Sequence, residues 1–249
     1  MWAGASVLAL VLGLWPALGA GARTEVRVPV AGQPQDAGRQ LFVTGCSSCH
    51  GLDGRGTGRG PSLEHSGAAS AYYYLSTGRM PLATEGQPLR KDPAFNPGEI
   101  DLLTAYVGSL GDGPPVPEVD PSRGDLARGG QLFRASCAAC HSAAGIGGAL
   151  SYGGYAPPLQ EAEPLQIAAA VRVGPGNMPL FGPAVFDDQE VDSLVRYVRF
   201  LQHAPTPGGA RLGGAGPIPE GFVGWVFGIG ALVAATAWIG TRQVKRKRS

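Results

Sequence analysis

All four cysteines of this 249-residue chain stand in two copies of one pattern, GCSSCHG at Gly45–Gly51 and SCAACHS at Ser136–Ser142, displaced by 91 residues. Each copy reads Cys-x-x-Cys-His, giving Cys46, Cys49 and His50, then Cys137, Cys140 and His141. A zinc site gathers four thiolate or imidazole ligands from pairs at short separations. Two pairs 91 residues apart in separate repeats do not gather easily. A thioredoxin-like dithiol sits in a βαβ context, with its motif opening a helix; here the motif ends a helical segment and runs straight into histidine. A disulfide closing so short a loop restrains little of the chain. Covalent haem c is the remaining chemistry. Two thiols three positions apart at a helix end form thioethers to the two vinyl groups, and the next residue's imidazole then lies under the iron.

That reading demands a second axial ligand in each repeat. Apart from the initiator the chain has two methionines, Met80 in GRMPL and Met178 in GNMPL, 30 residues after His50 and 37 after His141. A lone methionine in a small domain is ordinarily core filler. Two isolated methionines in matched GxMPL settings, one behind each CxxCH, are read as thioether ligands that favour the reduced iron. The rival axial ligands, for bis-His ligation, are the two other histidines, His65 and His203; they occupy unrelated positions in the repeat and are read instead as surface or propionate-side residues. Proline-bearing turns follow both motifs, GPSL at 60–63 and APPL at 156–159. A backbone carbonyl there is expected to accept the Nδ1 proton of the proximal imidazole and fix its ring; the bland alternative is an ordinary turn.

The elements that must position these residues repeat in the same register. GRQLFVTGCSSCH from Gly38 and GGQLFRASCAACH from Gly129 both read GxxxFxxxCxxCH. EIDLLTAYVGSL (Glu99–Leu110) matches EVDSLVRYVRFL (Glu190–Leu201), again at an offset of 91, and between these anchors the register slips and returns. Each half is therefore expected to open with a helix carrying Gly, Leu and Phe before the cysteines and to close with an amphipathic helix. Gly38 and Gly129 are expected to let these two helices cross closely, against Tyr106 and Tyr197. The run Tyr72–Tyr74 is either core or a lining of the first crevice. No alternating strand pattern stands out, so the fold class is mostly α.

Gly (40) and Pro (22) make up a quarter of the chain, as loop-rich units with short helices require. Residues 113–121 form a Pro-rich linker, stiff by composition. It separates a first domain at 23–112 from a second at 122–203, and a Gly/Pro linker follows at 204–220. The formal net charge is +1, but residues 221–249 hold five bases and no acid, leaving 15 bases against 19 acids elsewhere. A slightly acidic body excludes nucleic acid as a partner.

Two apolar segments frame these domains. Residues 1–22 have the length and small-residue ending of a secretory signal but lack its basic n-region, and are read as a signal peptide or an N-terminal membrane helix. Residues 221–240 are uncharged and long enough to span a bilayer in contact with membrane lipid, with Trp225 and Trp238 near the ends. The basic tail 241–249 is placed in the cytoplasm by the positive-inside rule, which puts the domains outside.

GxxxFxxxCxxCH, a proline turn, a distal methionine and a closing LxxYV helix together resemble a class I cytochrome c domain, present twice across residues 23–203. Two tandem class I cytochrome c domains, a Gly/Pro linker, a GPIPEGFVGWVFGIG helix and a short basic tail resemble the dihaem cytochrome c subunit of the bacterial cytochrome bc1 complex. LRKDPAFNPGEIDLLTAYV (Leu89–Val107) is similar to that family's first domain. The resemblance implies two haem c groups in a cell-membrane subunit of a quinol:cytochrome c oxidoreductase (a translocase). It implies that electrons from menaquinol pass from the Rieske iron–sulfur subunit through both haems to an aa3-type cytochrome c oxidase. Proton-linked quinol oxidation belongs to the cytochrome b and Rieske subunits, so the chain is a carrier without catalytic residues of its own. Three rival readings stand beside it. One is a tethered dihaem subunit of another oxidase or dehydrogenase, such as a cbb3-type oxidase, disfavoured by the C-terminal anchor. The second is a dihaem peroxidase, disfavoured by a methionine in each repeat. The third is a thiol-redox or zinc membrane protein, which a spectrum without a c-type band would establish.

Overall fold

The computed structural model of the chain describes residues 34–83, 88–204 and 217–248. The segment 1–22 lies outside the described residues, as does most of the second linker. The first domain contains α1 (Pro34–Gly45), a single turn α2 (Ser47–His50), α3 (Gly67–Ser76) and α4 (Pro97–Gly108). The second repeats this as α5 (Leu126–Ser136), α6 (Ala138–His141), α7 (Pro164–Val173) and α8 (Asp188–His203). A hairpin of two-residue strands, β1 (Gly148–Ala149) and β2 (Tyr155–Ala156), precedes α7 in the second domain, where the first domain has a single bridge, Thr57–Gly60, at the same register. The mostly helical reading holds; strands of two residues are too short to leave an alternating pattern in a sequence.

Chain chemistry sets the helix starts. Asn96 accepts from Glu99 N at 3.1 Å while the Glu99 carboxylate accepts from Asn96 N at 3.0 Å. Asp187 and Glu190 do the same 91 residues on, at 2.8 and 3.2 Å. These reciprocal caps satisfy amides that would otherwise lack partners and fix where α4 and α8 begin. The last helix of each domain crosses the first. A Cβ on Gly38 would strike Leu102 O and approach Tyr106 Cβ to 2.9 Å; one on Gly129 would strike Ser193 O and approach Tyr197 Cβ to 2.9 Å. Glycine therefore permits the crossing that lets Phe42 and Phe133, both 0% exposed, plug the two cores. Each ring tilts at 48° against the tyrosine of the crossing helix, at 5.1 Å for Phe42–Tyr106 and 5.4 Å for Phe133–Tyr197. Burial of one such ring is worth roughly 3 kcal/mol of transfer free energy.

The register slip now has a location. The second domain spends seven extra residues between CxxCH and methionine, partly in the hairpin. It recovers them between methionine and last helix, 10 residues from Met178 to Asp188 against 17 from Met80 to Pro97. The linker between the domains is extended and tied at both ends: Pro114 O accepts from Ala69 N at 3.0 Å, and Asp120 N donates to Asp192 Oδ1 at 2.7 Å.

The last helix, α9, runs from Pro217 to Arg248, so it starts inside the stretch read as linker and continues through the basic tail. Pro217 suits a first helical position, where no amide hydrogen bond is lost. Its segment Gly221–Arg242 has mean hydropathy 1.9 and is long and apolar enough to cross a membrane. Large apolar side chains from Phe222 to Ile239 are exposed along it, as contact with lipid requires. Arg242 lies 4.0 Å over the Trp238 ring, a pairing suited to a membrane interface.

Candidate functional site

Both CxxCH motifs occupy a single helical turn behind a break in the first helix. At Cys46 (φ −127°) and Cys137 (φ −118°) the backbone leaves the long helix, and the next four residues coil again. The turn is closed by His50 N to Cys46 O at 3.0 Å and by His141 N to Cys137 O at 2.9 Å. It thus places two sulfurs and an imidazole together. Gly56 and Gly147, also 91 apart, fold the following loop back by donating N–H to the carbonyls of His50 and His141, at 2.7 and 3.0 Å. Their φ values of 86° and 78° are in the left-handed region that glycine tolerates.

The loop returns a proline carbonyl to each histidine. His50 Nδ1–H donates to Pro61 O at 2.8 Å, and His141 Nδ1–H donates to Pro157 O at 2.9 Å. A carbonyl can only accept, so Nδ1 carries the proton and Nε2 keeps its lone pair for a metal. Burial also holds the His141 imidazole below its ordinary pKa, partly opposed by the bond to Pro157, which favours the neutral ring a metal needs. The expectation placed on the two proline turns is met.

Each methionine reaches the same apolar cluster as the thiols. Met80 and Cys46 both pack on the cluster of Phe42, Leu75, Ile100 and Leu103; Met178 and Cys137 both pack on that of Phe133, Ile167, Val171 and Leu194. Burial, with a smaller contribution from the neighbouring thiol, pushes Cys46 and Cys137 up to about 11, so these sulfurs face apolar surroundings as neutral thiols. All four cysteines are free, and among the described residues no three His, Cys, Asp or Glu side chains gather as a metal cluster. A zinc site finds no ligand set there. The donor set of two sulfurs, a lone-pair Nε2 and a thioether on an apolar wall fits haem c in both domains.

The rival histidines lie elsewhere. His65 is exposed and paired with Asp112, and His203 is exposed with Nδ1–H donating to Arg199 O at 2.9 Å.

The methionine loops are fixed differently, by residues that sequence reasoning missed. Met80 N–H donates to Tyr74 O at 3.0 Å, and from inside the loop Arg79 reaches back to the Tyr73 hydroxyl at 3.1 Å and Pro88 O at 3.4 Å. Around Met178 a cation reaches out from α7 instead. Arg172, 7% exposed, donates to Phe181 O (3.1 Å), Phe186 O (2.6 Å) and Asp188 Oδ1 (2.5 Å). An arginine inside the apolar run IAAAVRV was the available signal.

Two cytochrome c domains in series, each built around one CxxCH, define a dihaem c-type cytochrome with two covalently bound haem c groups. Residues 35–111 match the cytochrome c family, and residues 124–198 match the family described as cytochrome C oxidase, cbb3-type, subunit III. The chain is 45% identical to the cytochrome bc1 complex cytochrome c subunit of Mycobacterium tuberculosis, over 82% of this chain and 77% of that protein. It is 37% identical to the subunit of the same description in Corynebacterium diphtheriae, over 96% and 94% of the two chains. It belongs to the family of cytochrome bc1 complex cytochrome c subunits. A cbb3-type cytochrome c oxidase subunit CcoP from Azospirillum sp. is more distant, 29% identical over 66% of this chain and 61% of that protein.

Proposed function

We propose that the chain is the dihaem electron relay of a cytochrome bc1 complex. It takes single electrons from a Rieske iron–sulfur subunit after menaquinol oxidation at cytochrome b, and delivers them to an aa3-type oxidase. The observation that carries this reading is the pairing, in each of two packed domains, of a CxxCH and a methionine on one apolar cluster. Bound haem c supplies a one-electron iron couple whose potential a thioether ligand raises.

The chain's own residues do the rest. Cys46 with Cys49, and Cys137 with Cys140, anchor the groups through paired thioethers. His50 and His141 present Nε2, and the carbonyls of Pro61 and Pro157 stop either ring from turning. Met80 and Met178 would supply the second ligand to each iron. Neither a neutral imidazole nor a thioether exchanges a proton, so the chain changes charge without acid–base chemistry of its own. The apolar clusters form a wall of each site, which limits the solvent rearrangement that each charge change would otherwise demand.

The membrane helix α9 keeps the relay at the bilayer. Arg242, Lys245, Arg246, Lys247 and Arg248 favour the cytoplasmic side for its end, leaving both domains on the extracytoplasmic face of the cell membrane. Affinity purification of the tagged full chain from gently solubilised membranes tests the assignment. Haem b absorption, the Rieske paramagnetic signal and the aa3 spectrum are expected in one complex. A stable complex holding both c-type haems but neither cytochrome b nor a Rieske centre overturns the reading in favour of another oxidase or a dehydrogenase.

A further inference from the structure

From the distal methionine to the last helix the first domain uses 17 residues, Met80 to Pro97, where the second uses 10, Met178 to Asp188. The shorter stretch already reaches its helix, so the longer one has length to spare. Residues 88–92 of it run extended beside the end of α3. Lys91 N donates to Thr77 O at 3.2 Å, and Pro88 O accepts from Arg79 Nη1 at 3.4 Å. Gly78 turns there in the left-handed region (φ 63°), and a Cβ on it would strike Lys91 O and come within 2.6 Å of Asp92 O. Glycine is what lets the segment lie this close.

From that anchored segment Arg90 crosses into the second domain. Its Nη2 donates to Glu161 O at 2.9 Å and its Nη1 to Gln166 Oε1 at 3.5 Å. Gln166, 7% exposed, donates Nε2 back to Ser76 O at 3.0 Å, while its Oε1 also accepts from Glu163 N at 3.2 Å. The bonds close a ring where α3 packs on α7: the end of α3 holds Gln166, Gln166 holds Arg90, and the backbone beside Arg90 returns to Thr77, the cap of α3. A planar guanidinium can engage a carbonyl and an amide oxygen together, which an ammonium on a similar stem does not. The Glu161 carboxylate, 86% exposed and 4.0 Å from Arg90 Nε, adds little.

We propose that residues 88–92 are a strap that fixes the two haem domains in one relative orientation, with Arg90 as its positioning residue and Gln166 as its anchor in the second domain. The inference rests on the reading of the chain as an electron relay. Transfer between two haems falls steeply with their separation, and domains of one chain that meet through a polar contact ordinarily move relative to each other. The strap opposes that motion, so electrons pass between the haems at a set distance.

Arg90→Ala removes the reach of the strap and touches neither core. Gadolinium labels on Asp36→Cys and Gln131→Cys, exposed positions on α1 and α5, report the domain separation by pulsed dipolar spectroscopy in the haem-loaded full chain with both irons reduced. One narrow distance distribution is expected for the parent. Arg90→Ala and Gln166→Leu should each widen it about twofold, as an untied contact between domains allows, with both haem potentials unchanged. Glu161→Gln should leave the width alone, because Arg90 bonds the carbonyl and not the carboxylate. An unwidened distribution in Arg90→Ala overturns the strap, and so does an equal widening in Glu161→Gln, which would make the contact a surface ion pair. A displaced haem potential in Arg90→Ala would place that residue inside one site and overturns it as well. Failure of the relay reading shows separately, as a purified complex without cytochrome b or a Rieske centre, whatever the distribution.

Discussion

The two haem domains share a helix order, a crossing glycine, a capping box and a proline carbonyl on the histidine, yet they restrain the methionine loop by different means. In the first domain Arg79 comes from the loop itself and ends on a neutral hydroxyl and a carbonyl. In the second, Arg172 comes from the helix, is almost wholly buried, and engages two loop carbonyls and a carboxylate at the start of α8. The contrast teaches that the proximal side, with its short covalent motif, is specified residue by residue and repeats in register. On the proposed ligation by Met80 and Met178, the distal side has only to deliver one sulfur to an apolar wall. Any loop that does so suffices: 10 residues run from Met178 to Asp188 where 17 run from Met80 to Pro97.

The largest effects should be common to both domains. Gly38→Ala and Gly129→Ala each drive a methyl group into the backbone of the crossing helix, and each should cost about 3 kcal/mol, as overpacked cores do. Thermal unfolding followed separately at each site's haem absorption reads the two losses; a large cost in one domain alone would break the equivalence of the crossings.

Next comes the contrast itself. Arg172→Ala strands buried carbonyls at Phe181 and Phe186 and should cost about 2 kcal/mol, with Arg172→Lys recovering only part because an ammonium cannot reproduce the guanidinium fork. Arg79→Ala removes weaker, longer bonds and should cost about 0.5 kcal/mol. Equal losses would erase the distinction between a stapled and a lightly held loop. The caps should then respond alike: Asn96→Ala and Asp187→Ala each cost about 1 kcal/mol by unfolding, since each removes one arm of a reciprocal pair.

The smallest effect is a pH dependence peculiar to the first domain. The hydrogen bond to Asp112 raises the His65 pKa above its ordinary 6.5, and the same bond lowers that of Asp112 below 3.8. The pair's stabilisation is full between those two ordinary values. It is lost as pH rises through the raised His65 value, and again as pH falls through the lowered Asp112 value. His65→Ala should therefore lower the melting temperature slightly at about pH 6 and not at about pH 9. A difference that persists at the higher pH would contradict the pairing.

Much of this was legible in the sequence because the chain says it twice. The two CxxCH motifs, the matched methionines, the glycines facing Tyr106 and Tyr197 and the proline turns each gained meaning from a partner in the repeat. What has no counterpart in the repeat was hidden. Tyr72–Tyr74 looked like core or crevice lining, and no spacing rule assigns the Tyr73 hydroxyl to Arg79 or sends Arg90 to the neighbouring domain. Gln166 reads locally as a helix-capping residue, which it is, and only the packing of α3 on α7 gives its amide a second role. Arg172 is a lone charge in an apolar run, and its three acceptors lie 9 to 16 residues further on, in a loop that sequence periodicity does not describe and at the start of α8. The linker at 113–121 was stiff by composition, but its ties to Ala69 and Asp192 depend on tertiary placement.

The central claim is that each iron is held by one histidine and one methionine, His50 with Met80 and His141 with Met178. Spectroscopic redox titration of the full chain, with Met80→His and Met178→His made one at a time, tests it directly. Each substitution is expected to lower the midpoint potential of one haem, a different one in each variant, and to abolish that haem's sulfur-to-iron band while leaving the other in place. Two unshifted potentials with both bands intact in either variant would contradict the assignment.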